Sequence, residues 1–431
     1  MIPDIETQSV EAIKIFQEQK LAEALQYLDA KSKFYKTLFK SNNISISEIK
    51  TIEDLQQIPV TTKTDLQRHN TDFICVDKTE IVDYNTTSGT LGEPVFFPLT
   101  ENDLERLAYN EAISFATAQV TKTDVLQLMT TIDKCFMAGL AYFLGAKKIG
   151  AGIIRLGIAS PAQHWDSILK FEPNYLIAVP SFLIKLKAFA LQNNFNLNAT
   201  SIKRIICIGE PIRQDDFSLN ALGKKITENW NVELFSTYAS TEMATAFTEC
   251  EVQQGGHHHP ELVIVEILDE KNETVKPGEV GELTITTLGL EAMPLLRYKT
   301  GDMVKAHTKF CSCGRQTLRL SPVFGRKQQM IKLKGTTLYP PAIQNVLNDV
   351  EFVIDYVIEI HHSRLDLDEV IIKTLLQNPS EDQKEKLINV LKSKLRVTPK
   401  IELASAEDLF KLKQSKGGRK PVTILDYRKQ F

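Results

Sequence analysis

The stretch Thr86-Thr87-Ser88-Gly89-Thr90-Leu91-Gly92-Glu93-Pro94 sets glycines among hydroxyl side chains in one short loop. It lies between two strand-like runs, Ile81-Val82-Asp83-Tyr84 and Val95-Phe96-Phe97. Such a loop can wrap backbone N–H and side-chain O–H groups around a polyphosphate. No Gly-Lys-Ser/Thr follows, so it is not a Walker loop; a Ser/Thr-rich hairpin turn has the same composition. A second block, Ser236-Thr237-Tyr238-Ala239-Ser240-Thr241-Glu242, follows the strand-like Val232-Glu233-Leu234-Phe235. At the carboxyl end of a strand, the Glu242 carboxylate can hold a magnesium ion bridging phosphates, and Tyr238 offers a ring for a base to stack on. A solvated loop is the plainer reading. In the third block, Pro294-Leu295-Leu296-Arg297-Tyr298-Lys299-Thr300-Gly301-Asp302, the carboxylate of Asp302 is suited to accept two hydrogen bonds from ribose hydroxyls, or to serve its own turn. Finally, Cys311-x-Cys313 sits on a turn with Gly314, and Cys250 and His257 precede the same β-rich segment. Soft ligands from two loops suit tetrahedral zinc, with free thiols beside a surface histidine cluster as the alternative.

These residues need a frame. From Glu11 to Phe39, Ile13, Phe16, Leu21, Leu25, Leu28, Phe34 and Leu38 recur at helical spacing. A second amphipathic helix spans Asp103 to Val120, opened by Thr100 or Asn102. Beyond Thr123, strand-like runs (Val125–Leu128, Ile153-Ile154, Tyr175–Val179, Ile205–Ile208) alternate with helical ones (Gly139–Gly145, Trp165–Leu169, Phe182–Leu191). That alternation argues for a largely parallel sheet covered by helices. From Glu261 a meander begins, with the Pro277-Gly278 turn between Leu262–Ile267 and Gly281–Thr286. The predicted architecture is α/β: a large N-terminal domain over 1–324, with a β-rich, metal-binding subdomain at about 245–324, and a small α+β domain over 325–431. The basic segment Lys411–Lys420 reads as a loop.

Composition removes other classes. The chain has 431 residues, 43% apolar and 24% charged, which excludes a disordered chain, a collagen-like fibre and a disulfide mini-protein. Its 51 Lys and Arg against 54 Asp and Glu leave a net charge of −3, so no global positive field exists to hold nucleic acid or an acidic membrane. The start has no basic stretch followed by an apolar run, and no run approaches membrane-spanning length. A cytoplasmic location is expected, in which the six cysteines are free core thiols or metal ligands. Cys75, Cys135 and Cys207 read as core thiols. His69, His164, His307, His361 and His362 read as surface or capping residues.

Together these blocks resemble the adenylate-forming superfamily, and more narrowly the phenylacetate-CoA ligases. Phe34-Tyr35-Lys36, Leu55 to Lys63, the Thr87-to-Pro94 loop, Gly209-Glu210-Pro211, the Pro294-to-Asp302 block and Cys313-Gly314-Arg315 all fit that family. The resemblance spans nearly the whole chain. It implies an ATP-dependent ligase that activates a carboxylic acid, phenylacetate being the family's namesake, to an acyl-adenylate and passes the acyl group to CoA. Thr87, Ser88, Gly89 and Thr90 would hold the ATP phosphates, and Glu242 the Mg²⁺. Gly209, Glu210, Pro211, Tyr238, Ala239 and Thr241 would frame the adenine side, and Asp302 the ribose. Arg326, counted with the nucleotide-binding residues, would sit at the boundary of a mobile C-terminal domain, and Gln328 would mark its hinge. Phe136 and Ala239 would border the acyl pocket, and Lys334-Gly335 the pantetheine path of CoA. The family's catalytic lysine, counted back from Asp426, falls on Lys420, with Lys416 as competitor. Relatives of this subset bind zinc through a Cys, a His and two later Cys, which selects Cys250, His257, Cys311 and Cys313.

The chain departs from the family pattern at three positions. Gln328 replaces the usual hinge Asp or Lys, Ala239 a glycine, and Glu93 a lysine. An acyl carrier protein is the alternative acceptor, and a nucleotide-binding protein without turnover is the alternative class. A homodimer is expected from the relatives.

Overall fold

The computed structural model describes residues 2–87, 95–333, 336–362, 368–414 and 422–428. The first apolar stripe forms two helices, Val10–Lys31 and Lys33–Ser41. Ser32 separates them because its hydroxyl accepts from Tyr35 N–H and so caps the second. Of the two possible openings of the next long helix, Thr100 is the one used. It forms a capping box with Asp103 and starts the helix Glu101–Thr117.

The described chain divides into two compact units. The first comprises Met1–Leu219, Gly223–Thr300 and Val304–Pro322. Its main sheet has nine strands among the described residues. Gly152–Arg155, Val125–Leu128, Tyr175–Ala178, Arg204–Ile208 and Glu233–Ser240 lie side by side, all parallel. Helices Met137–Ile149, Pro161–Phe171 and Pro180–Gln192 fall between successive strands in the chain. Leu126, Leu128, Tyr175, Ile177, Ile206 and Phe235 form the core with Phe115 and Tyr142. The sheet then continues antiparallel through Thr245–Glu249, Gly256–His257, Arg319–Leu320 and Ala306–His307. The cysteine- and histidine-bearing part expected as a separate subdomain is therefore an extension of the main sheet. The meander pairs Val263–Leu268 with Gly281–Thr287 antiparallel.

The second unit comprises Asn220–Leu222, Gly301–Met303 and Val323–Phe431. In its four-stranded sheet, Val353–His362 and Asp368–Leu376 form the antiparallel centre. Ile424–Asp426 and Lys400–Leu403 flank them in parallel. Ile343 and Leu347 of one helix and Leu387 and Leu391 of another are buried with Ile358, Ile360 and Ile372 of that sheet.

Three readings are corrected. The start of the basic stretch expected as a loop, Lys411 to Gln414, belongs to the helix Ala406–Gln414, anchored by Leu409 against Val357 and Leu425; residues 415–420 lie outside the described residues. Cys135 is exposed, not a core thiol. His164 is fully buried rather than superficial; Gln127 Nε2 lies 3.2 Å from its Nδ1, and burial lowers its pKa to about 4.

Candidate active site and metal centre

The glycine loop emerges from a hairpin in which Asp83–Thr86 pairs with Phe96–Leu99. Thr87 closes the neck: its N–H donates to Val95 O, and its hydroxyl accepts from Val95 N–H, both at 3.0 Å. Ser88, Gly89 and Thr90 lie outside the described residues, as do Glu93, Lys334, Gly335, Lys416 and Lys420. Thr86 N–H donates to Cys135 O at 3.1 Å, which ties the hairpin to the loop that ends at half-buried Phe136. A small cavity is lined by Phe97, Leu99, Met137, Thr241, Glu242 and Met293 among others. The Phe96–Leu99 strand of the hairpin, the helix start after Phe136 and the Glu242 turn thus border one cavity.

Gly209-Glu210-Pro211 follows the Arg204–Ile208 strand. Gly209 turns the chain off the sheet at φ +74°, where a side chain is disfavoured. Glu210 is already engaged: its carboxylate accepts from Ser181 N–H at 2.8 Å and Ser181 Oγ–H at 2.9 Å. It caps the first turn of the Pro180–Gln192 helix, a favourable place for a negative charge. On the adjoining strand, Tyr238 is half-buried and Ala239 exposed, with Thr241 and Glu242 just beyond. Both motifs therefore occupy carboxyl ends of parallel strands, where α/β sheets bind ligands.

Asp302 and Arg326 belong to the second unit, on paired strands, with Arg326 Nε 3.6 Å from Asp302 Oδ1. Gln328 is exposed in the turn Lys327–Gln329. Its carbonyl accepts from Arg428, which also binds Met330 O, Asp368 and Asp426. A neutral residue thus contributes its backbone, not its charge.

The metal candidates converge. Cys250 follows the Thr245–Glu249 strand, His257 lies on Gly256–His257, and Cys311 and Cys313 sit on the turn that leads to Arg319–Leu320. Gly314 closes that turn at φ +95°, its N–H donating to Cys311 O. One ligand atom from each residue lies within 4.8 Å of the others. Cys250 Sγ and Cys311 Sγ are 3.7 Å apart, and Cys313 Sγ and His257 Nε2 are 3.5 Å apart. Ligands at about 2.0–2.3 Å on a tetrahedron stand roughly 3.5–3.8 Å from each other, so the donor set fits zinc. His257 Nδ1 contacts Thr317 Oγ1 at 3.2 Å, which leaves Nε2 for a metal. The thiols divide their proton unevenly. The hydrogen bond from Cys250 holds the Cys313 thiol well below its usual range, with His257 contributing, while the same bond and burial push Cys250 up.

Residues 10–291 match the family described as AMP-binding enzyme. The chain belongs to that family. It is similar to the phenylacetate-coenzyme A ligase of Thermus thermophilus, 28% identical over 88% of this chain and 84% of the relative. The enzyme of the same name from Escherichia coli is 25% identical over 87% of this chain and 85% of the relative. Among solved structures, 2-hydroxyisobutyryl-CoA ligase with an acyl-AMP aligns at a TM-score of 0.86 and 21% identity, covering 100% of this chain and 92% of that one. It shares the fold. The family match ends before Cys311, so the metal centre rests on its own geometry. Sequence reasoning did not find Glu6, the partner of Arg315 at 2.7 Å, because 309 positions separate them and no local spacing marks the pair.

Proposed function

We propose that this member of the AMP-binding family is an AMP-forming acid–CoA ligase, with phenylacetate or a close aryl acid as substrate. The observation that carries the reading is the position of Gly209-Glu210-Pro211 and of Tyr238 to Glu242 at the carboxyl ends of adjoining parallel strands. A carboxylate oxygen of the acid attacks the α-phosphorus of ATP, and pyrophosphate leaves with the electron pair of the broken P–O bond. The CoA sulfur then attacks the acyl carbon of the mixed anhydride. The sulfur loses its proton, and AMP departs with its bonding electrons.

Negative charge builds on phosphate oxygens in the first step, so the residues required are those that neutralise it. Glu242 would hold a magnesium ion that supplies this charge; one carboxylate plus substrate phosphates is the ordinary way a protein binds that cation. Lys420 supplies the second positive charge, Tyr238 stacks on adenine and Asp302 accepts from the ribose. A C-terminal domain turning near Gln328 would exchange Lys420 for the Lys334-Gly335 path between the two steps. Cys250, His257, Cys311 and Cys313 would hold a structural zinc; with the full set of protein ligands it has no open position for chemistry.

ATP–pyrophosphate exchange across a panel of aryl and fatty acids tests the first step, and thioester formation with CoA the second. Exchange with phenylacetate and a CoA product is expected. Exchange with every acid absent would overturn the reading. Exchange with product only on a carrier-protein phosphopantetheine would replace CoA as acceptor.

A further inference from the structure

Zinc with three thiolates and a neutral imidazole carries one net negative charge. At this site Cys250, Cys311 and His257 are buried, so that charge needs a buried counter-ion. Arg315 is placed to be it: it is 2% exposed, and its Nη1 donates to Cys313 Sγ at 3.6 Å. Its Nε donates to Glu6 Oε2 at 2.7 Å and its Nη2 to Thr117 Oγ1 at 3.1 Å. Glu6 is fully buried on the N-terminal turn Asp4–Thr7 and is also bonded to His259 Nδ1. The backbone carbonyl of Glu6 accepts from Gln316 N–H at 2.7 Å. Burial alone would raise the Glu6 carboxyl, but His259 and then Arg315, each through charge and a hydrogen bond, together hold it below its usual range.

We infer that Arg315 and Glu6 form the outer shell of the metal centre, Arg315 neutralising the Cys313 thiolate while Glu6 holds Arg315, so that metal occupancy orders the N-terminal turn. The inference rests on the zinc reading above. It goes beyond it by making a segment 309 residues away in sequence part of the metal site. Arg315 and Glu6 are positioning residues here. They touch no reacting atom.

The test uses the full chain, stripped of metal and titrated with Co²⁺ and then Zn²⁺. Thiolate-to-cobalt absorption reports the inner ligands, and hydrogen exchange of the N-terminal residues reports the turn. The native chain should bind about one ion per chain if the ligands form one site, and metal should protect the N-terminal turn. Glu6→Gln and Arg315→Gln should bind roughly 10- to 100-fold more weakly with the cobalt spectrum retained, the usual effect of an outer-shell loss. Arg315→Lys, which keeps the charge, should recover part of that affinity. Absence of a thiolate–cobalt band in the native chain would overturn the zinc reading itself. A native band with unchanged affinity in folded Glu6→Gln and Arg315→Gln would overturn only the outer-shell assignment. Should Arg315→Gln fail to fold, Glu6→Gln alone decides.

Discussion

The metal centre and the strand-end crevice lie on one sheet and use polar residues in opposite ways. At the metal centre the ligand atoms are gathered within 4.8 Å, and the charges behind them are paired: Glu6 with His259 and Arg315, Arg315 with Cys313 and Thr117. In the crevice, Tyr238, Thr241 and Glu242 remain half-buried and Ala239 exposed. A closed site can be completed without substrate, by protein groups and the ion they would hold. A turnover site has to wait for substrate, so its groups sit where a ligand can reach them. The contrast predicts that substitutions in the two places fail differently.

The largest effect belongs to the closed site. If the proposed zinc is held by this cluster, Cys311→Ser should take metal content from about one per chain to nearly none. It should also lower stability by about 4 kcal/mol or more, since metal loss ranks among the few severe single-site lesions. Thermal unfolding with metal analysis checks both, and zinc retained by the variant would break the comparison. Glu242→Gln in the crevice and, under the proposed function, Lys420→Ala should each slow ATP–pyrophosphate exchange by ~10²–10³-fold, the usual cost of one charge-stabilising group. Each should shift stability by no more than about 0.5 kcal/mol. Exchange unchanged in Lys420→Ala would move the role to Lys416.

A smaller effect probes the helix between the two regions. Glu101–Thr117 reaches Arg315 through Thr117 at one end, and its Asp103 lines the small cavity beside Glu242 at the other. Midway, Glu111 is buried against Gly145, where an added Cβ would lie 2.6 Å from the Glu111 Cβ. Burial raises its carboxyl pKa from 4.5 to about 8. The folded state then holds a proton that the unfolded chain releases, so the contribution is full below pH 4.5 and is lost as pH rises toward about 8. Glu111→Gln should remove this loss and stabilise the protein by on the order of 2–4 kcal/mol above the upper pKa. Denaturant melts across pH 5 to about 9 read the slope directly. An unchanged slope would mean that Glu111 is not the titrating group.

The fold was largely legible because apolar periodicity and turn residues are local. Val125–Leu128 and Tyr175–Ala178 announce themselves as strands, and Thr100 as a cap. The cluster of Cys250, His257, Cys311 and Cys313 was legible because Cys-x-Cys is rare enough to be noticed. What escaped depends on distant partners. His164 is buried beside Gln127 on another element, and Glu6 meets Arg315 from the far end of the chain. Cys135 has apolar neighbours in sequence but sits at φ +54° on an exposed loop, so its local composition misled. The two helices read as one stripe because Ser32 breaks the backbone without breaking the period.

The smallest effect sharpens the comparison at a residue that crosses it. Glu210 belongs to the nucleotide-side motif by sequence, yet its carboxylate is bonded to Ser181 and caps a helix, as a closed-site residue would be. If capping dominates, Glu210→Ala should cost ~0.5–2 kcal/mol of stability, the range for a lost N-terminal cap. The KM for ATP should then change only modestly, with kcat for exchange nearly unaltered. Glu210→Gln keeps an acceptor for Ser181 but loses the charge at the helix start, and should recover most of the stability. A large rise in the KM for ATP with unchanged melting would place Glu210 with Tyr238 and Glu242 instead. The boundary between the two kinds of site would then run between Glu210 and Ser181 rather than between two ends of one sheet.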